Sequence, residues 1–364
     1  MKPIFYIQKI CSVFGVVSVL YSSGPIDTDT VYINNVYKKE MDTKVIIKDS
    51  LYSLNGIYYF SIDSEKIVIS DLNYVYFYDL EGNRQKKFGL NKYRSFYNCG
   101  DLVTLKNHSF VVSELIYGKL NLLLFDKSGV QIKKIKHDPS IVKIVVDRNG
   151  DILVGGLYIN GYDEMLEKYD ENTFSPSRRS KLGVKRFFEN ASGYWIIKYN
   201  SQLIPKDSIL YDTGNMEEKL EASNYWMFSF DVDEDNSLWV YGYPDTTIRH
   251  YDENGKFLSE FALEPEDVQM PPEGLAVKQW RRLSRKSNGF YWGFSLSVIK
   301  NKIIITYKRQ YPDIKGKSII LTVYTKSGKF LKRMPVAYRP RKVNDKLYYW
   351  KKDKEGWRLV KCDI

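Results

Sequence analysis

The stretch 228–261, FSFDVDEDNSLWVYGYPDTTIRHYDENGKFLSEF, encodes three short strands and the start of a fourth, and the rest of the chain repeats it. Phe228, Phe230 and Val232 alternate ahead of a turn, Asp233-Glu234-Asp235-Asn236. Residues 238–243 and 248–252 are two further apolar runs, and Asn254-Gly255 closes a hairpin into 256–261. Asn-Gly predicts a two-residue hairpin, in which both central residues take positive φ.

The third strand and its turn recur as Tyr76-Phe77-Tyr78-Asp79, Leu123-Leu124-Phe125-Asp126, Glu167-Lys168-Tyr169-Asp170, Ile209-Leu210-Tyr211-Asp212 and Arg249-His250-Tyr251-Asp252. Looser copies follow at Thr322-Val323-Tyr324-Thr325 and Val360-Lys361-Cys362-Asp363. Most steps between these turns are roughly 40–45 residues, the spacing of a four-stranded propeller blade. One step is longer and carries an insertion. A lone blade leaves both faces bare, whereas blades stacked in a ring cover each other and leave only short edges. The 30 Tyr, 18 Phe and 7 Trp suit sheets packed face to face. A β-sandwich has similarly spaced strands but does not repeat a motif seven times.

The fold expected is therefore all-β: a propeller of four-stranded antiparallel blades, seven by this count, at about 50–98, 99–139, 140–183, 184–223, 224–263, 293–336 and 337–364. Six blades stay open if one weak unit is an embellishment. The last unit holds only three strands, so a strand from 31–49 is expected to complete it and close the ring. Residues 1–24, with Lys2 and Lys9 ahead of an uncharged apolar run over 10–21, are read as a signal peptide. The propeller then occupies 25–364, with an insertion at 264–292. Cys11, Cys99 and Cys362 show no spacing that supports a bridge.

The Tyr-Asp-x-x-Gly hairpins and the run Asp231-x-Asp233-x-x-Asn236-x-Leu238-Trp239-Val240 are similar to NHL-type repeats. With the N-terminal leader they resemble the secreted bacterial "6-bladed β-propeller" proteins over residues 50–364. That resemblance implies a propeller fold and a binding or scaffold role. The count of seven units departs from it.

The chemistry written in the chain is sparse. Asp231, Asp233 and Asp235 open like a calcium loop, but the sixth and twelfth places hold Asn236 and Gly242 rather than Gly and Glu, so a turn is expected there. His108, His137 and His250 lie in separate repeats, which gives no support to a zinc site or a Ser-His-Asp triad. No metal or other cofactor is called for, and no DNA- or RNA-binding motif is present. Trp239, inside a core strand, is read as structural. Within the insertion, Ala276, Trp280 and Leu283 share one face of a predicted helix over 272–286, and Lys278, Arg281, Arg282 and Arg285 share the other. Residues 278–364 carry a local charge of +19 against −8 for the remainder, within a total of +11. The leading expectation is a non-enzymatic exported scaffold, periplasmic or at the cell surface. It would take an acidic protein or anionic glycan on Lys278, Arg281, Arg282 and Arg285, with a membrane surface also open as partner. The alternative is a propeller enzyme acting on a glycan or lactone, with carboxylates or a metal in the central channel. What separates the two is whether charged groups converge on the axis.

Overall fold

In its computed structural model, six four-stranded antiparallel sheets running outward from a common axis account for the described residues. The structure describes residues 41–47, 59–70, 74–89, 97–116, 119–136, 140–159, 191–211, 228–242, 247–264, 290–310, 317–336, 338–352 and 356–362. The first strand, β1 (Met41–Ile47), belongs to the last blade. Blade 1 is β2 (Tyr59–Ile62), β3 (Ile67–Ser70), β4 (Tyr74–Tyr78) and β5 (Arg84–Gly89). Blade 2 is β6 (Tyr97–Thr104), β7 (Phe110–Ile116), β8 (Lys119–Phe125) and β9 (Gln131–Lys136). Blade 3 is β10 (Ser140–Val146), β11 (Ile152–Ile159), β12 (Ala191–Tyr199) and β13 (Pro205–Tyr211). Blade 4 is β14 (Phe228–Val232), β15 (Leu238–Gly242), β16 (Thr247–Tyr251) and β17 (Phe257–Ala262). Blade 5 is β18 (Phe290–Ile299), β19 (Lys302–Gln310), β20 (Lys317–Thr325) and β21 (Phe330–Val336). Blade 6 is β22 (Arg341–Val343), β23 (Lys346–Lys352), β24 (Trp357–Cys362) and β1.

Six blades, not seven, form the ring. The two units read at 140–183 and 184–223 are one blade, because a long connection, 160–190, falls between its second and third strands. The turn after its third strand is at Asn200, where Asn200 N–H reaches Ile204 O at 2.9 Å. Asp212 instead follows a fourth strand, and Asp170 lies outside the described residues. The same turn recurs at Asp79, Asp126, Asp252 and Thr325. Its chemistry explains the repeated residue. Asp252 Oδ1 accepts from Asn254 N–H (2.9 Å) and Lys256 N–H (2.8 Å), and Asn200 Oδ1 does the same for Gln202 and Ile204. An amide oxygen serves as well as a carboxylate, so the motif survives at Asn200 without its aspartate. The expected two-residue Asn-Gly hairpin is also corrected. Only Gly255 has positive φ (83°), with Gly255 N–H on Asp252 O and Asp252 N–H on Lys256 O. This is a longer turn ending in a glycine bulge.

Closure of the ring takes the expected form. β1 pairs antiparallel with β24, from Met41 opposite Lys361 to Ile47 opposite Trp357. Large side chains fill the wedges between blades. Phe60, Ile67, Trp350 and Trp357 lie between blades 1 and 6, and Val68, Phe77, Leu102 and Phe110 between blades 1 and 2. Each such side chain, fully buried, stabilises by about 1.5–3 kcal/mol. Between blades 3 and 4, Tyr194 stacks on Phe228 with ring centroids 4.3 Å apart.

Candidate functional site: the axial channel

The first strand of every blade lines the axis, around a cavity of about 650 Å³. In-phase residues such as Phe228, Phe230 and Val232 are buried. Their out-of-phase neighbours Ser229 and Asp231, equally buried, put polar groups on the channel lining. The result is a charged centre inside an apolar ring: Asp101 from β6, Lys143 from β10, Asp231 from β14, and Arg341 and Lys342 from β22.

Two ion pairs span non-adjacent blades. Arg341 Nη1 lies 2.5 Å from Asp101 Oδ1, joining blade 6 to blade 2. Lys342 Nζ lies 2.9 Å from Asp231 Oδ2 and 3.1 Å from Val232 O, joining blade 6 to blade 4. Each carboxylate also accepts backbone donors. Asp101 takes Leu102 N–H (2.8 Å) and, from the next blade, Ile144 N–H (2.7 Å). Asp231 takes Val232 N–H (2.9 Å) and, from the next blade, Val298 N–H (2.7 Å). Ser61 Oγ and Ser229 Oγ hold neighbouring inner strands in the same way, accepting from Thr104 N–H and Leu296 N–H. Both aspartates are therefore oriented and satisfied.

Lys143 differs from the other two cations. Its Nζ donates to Leu296 O of blade 5, and among the described residues no carboxylate lies within ion-pair distance of it. Burial pushes its amine down to about 8; Asp231 and Asp101 oppose that shift, and Lys342 and Arg341 reinforce it. Some of its surface is accessible, and it belongs to the channel wall, so the amine is remote from bulk water yet open to a channel occupant. Within this cluster three basic residues face two carboxylates, so protonated Lys143 is in excess there, while the cavity lining as a whole carries seven acidic and seven basic residues.

The residues singled out in the sequence are distributed differently. Lys278, Arg281, Arg282 and Arg285, with the helix that was to carry them, lie outside the described residues, as does the leader 1–24. The three aspartates of the apparent calcium loop serve three separate partners. Asp231 faces Lys342, Asp233 Oδ2 pairs with Lys326 and accepts from Trp239 Nε1–H (3.3 Å), and Asp235 Oδ1 accepts from Ser237 N–H. Among the described residues no three His, Cys, Asp or Glu side chains gather as a metal-ligand set. Trp239 is structural, 1% exposed and stacked on His250 at 4.0 Å; His250 Nε2 in turn contacts Ser237 Oγ at 2.8 Å. Asp101, Lys143, Arg341 and Lys342 were not anticipated. Their signal was a lone charge within a short apolar strand, as in SIVKIVV around Lys143.

No family model matches the chain, and no curated protein matches it. Solved structures do resemble it. One is a protein of unknown function from Bacteroides caccae, at 12% identity over 85% of this chain and 88% of that one, with a TM-score of 0.43. Another is virginiamycin B lyase from Staphylococcus aureus, at 12% identity over 87% and 97%, TM-score 0.44. A third is a luciferin-regenerating enzyme, at 10% identity over 87% and 94%, TM-score 0.44. These are likenesses of fold. The expectation of a non-enzymatic scaffold is corrected at the axis itself, where charged groups converge as the enzymatic alternative required.

Proposed function

We propose that the protein is an enzyme whose active site is the axial channel and whose substrate is a small, hydroxylated acid of the kind derived from glycans, or the lactone of such an acid. The observation that carries this reading is the arrangement of Lys143 between two oriented carboxylates and two further cations inside a cavity large enough for a sugar-sized molecule. When protonated, Lys143 adds a charge that Asp101 and Asp231 do not offset, which favours an anionic occupant or a developing oxyanion. Asp101 and Asp231 are committed to Arg341 and Lys342, which fixes those cations in place. Lys143 is the group free to react: its amine reaches the neutral form near physiological pH and serves as base or nucleophile.

The test is consumption of a panel of uronic acids, aldonic acids and aldonolactones, followed by mass spectrometry for wild type and Lys143→Met. Consumption of at least one compound by wild type, lost in the variant, is the expected result. A panel untouched by wild type and without effect on its melting temperature removes the reading.

A further inference from the structure

The axial channel offers a second property, which rests on the channel being the active site: we infer that Lys143 captures its substrate covalently, as an imine with an oxo acid whose carboxylate is held by the cations beside it. Imine formation needs an unprotonated amine, a site entered by small molecules but not open to bulk water, and a means of placing a carbonyl against the nitrogen. The position of Lys143 in the cavity wall bears on the second, and the burial that lowers its amine pKa bears on the first. Among the described residues its Nζ has one acceptor, Leu296 O, and its side chain forms part of the cavity wall. The neighbouring cations bear on the third through the N–H donors that their pairs with Asp101 and Asp231 leave over. Arg341 and Lys342 reach the same cluster from blade 6, near enough for their charges to act on the Lys143 amine. An oxo acid carries the two groups this arrangement recognises, a carboxylate for the cations and an adjacent carbonyl for the amine. A simple sugar carries one of them.

The step balances within the two reactants. The nitrogen lone pair adds to the carbonyl carbon while the C=O π pair moves to oxygen. Both amine hydrogens then leave with that oxygen as water, and one C=N bond replaces one C=O bond. No oxidant or reductant is consumed. At pH 7.5 an amine with a pKa of about 8 is unprotonated roughly two hundred times more often than an ordinary lysine. Weaker intrinsic nucleophilicity offsets part of that advantage.

The experiment uses the full chain with pyruvate and glyoxylate as probes and cyanoborohydride as the trap, read by peptide mapping. The expected result is labelling of Lys143 at least about tenfold faster than the average surface lysine, a margin kept below the free-amine ratio to allow for that offset. The adduct should be missing from Lys143→Arg, whose guanidinium forms no imine. Labelling spread over surface lysines with Lys143 unmodified overturns the inference, and this comparison needs only wild-type protein. Calorimetry with oxalate, which has no ketone or aldehyde carbonyl, separates the two readings. Oxalate bound without any Lys143 adduct removes the imine alone. Neither binding nor adduct removes the channel reading with it.

Discussion

Lys342 of the closing blade sits with its Nζ 2.9 Å from Asp231 Oδ2, two blades away around the ring. The pair ties the last blade to the fourth and closes the ring a second time, from inside. Asp231 is 2% exposed, so removing its cation leaves a buried charge with Val232 and Val298 N–H as its hydrogen-bond donors among the described residues. Lys342→Met is expected to destabilise by about 3 kcal/mol, the low end for a broken buried pair because Lys342 itself is partly exposed. The double variant Asp231→Asn/Lys342→Met should cost clearly less than the two single changes added together. Urea melts of the four proteins decide it, and simple additivity would show that the pair is not coupled.

The outer closure has its own test. Without β1 the edge of β24 has no partner, and Trp357 and Leu359 lose the cover of a neighbouring strand. Deleting residues 1–49 should lower the melting temperature by about 10 °C or more, in proportion to the several kcal/mol of pairing and burial removed. A truncated chain that melts like the full one would mean the ring does not depend on its β1–β24 seam.

Much of this architecture is legible in the chain because turns repeat chemically. Asp79, Asp126 and Asp252 each fold the same loop onto a carboxylate, so their spacing reports the blades directly. The count failed where the chemistry was kept but the letter changed. Asn200 does the work of aspartate, and the chain position of Asp212, just past a fourth strand, is no such turn position. The charged centre was harder to see. Lys143, Asp101 and Arg341 come from three blades and are brought together only by closing the ring, and each alone reads as an ordinary charge in a strand. Asp231 was noticed for a different reason, its place in a false calcium spacing.

Gly155 on β11 shows how tightly blades 3 and 4 approach. A Cβ there would lie 2.4 Å from Phe230 Cε1 and 2.9 Å from Phe228 Cε1. Both rings are fully buried, and Phe228 is stacked on Tyr194, so neither can swing away. Gly155→Ala is expected to destabilise by about 1–3 kcal/mol, the usual cost of overpacking a filled core. Phe230→Leu in the same chain should recover part of the loss. If Gly155→Ala melts like wild type, the blades have room that the packing denies.

The last prediction follows from the Lys143 amine and concerns stability against pH. Its folded pKa, about 8, is below the 10.5 of an unstrained lysine, because burial disfavours the charged form. Between those two values the unfolded chain binds more protons than the folded one, so stability rises with pH across that window. Below pH 8 the folded protein carries the full penalty of a protonated amine in the channel. Above 10.5 it carries none. Lys143→Met never carries it, so at pH 7 the variant is expected to be more stable than wild type by on the order of 2 kcal/mol, less than the full shift implies because the amine faces a cavity. That advantage should shrink steadily as the pH approaches 10. Titrating groups away from the axial cluster are common to both proteins and cancel in the difference. Denaturant unfolding of each protein at pH 7 and pH 10 gives the answer. A gap of equal size at both values would mean that Lys143 titrates as it would in water, with no charge penalty stored on the axis.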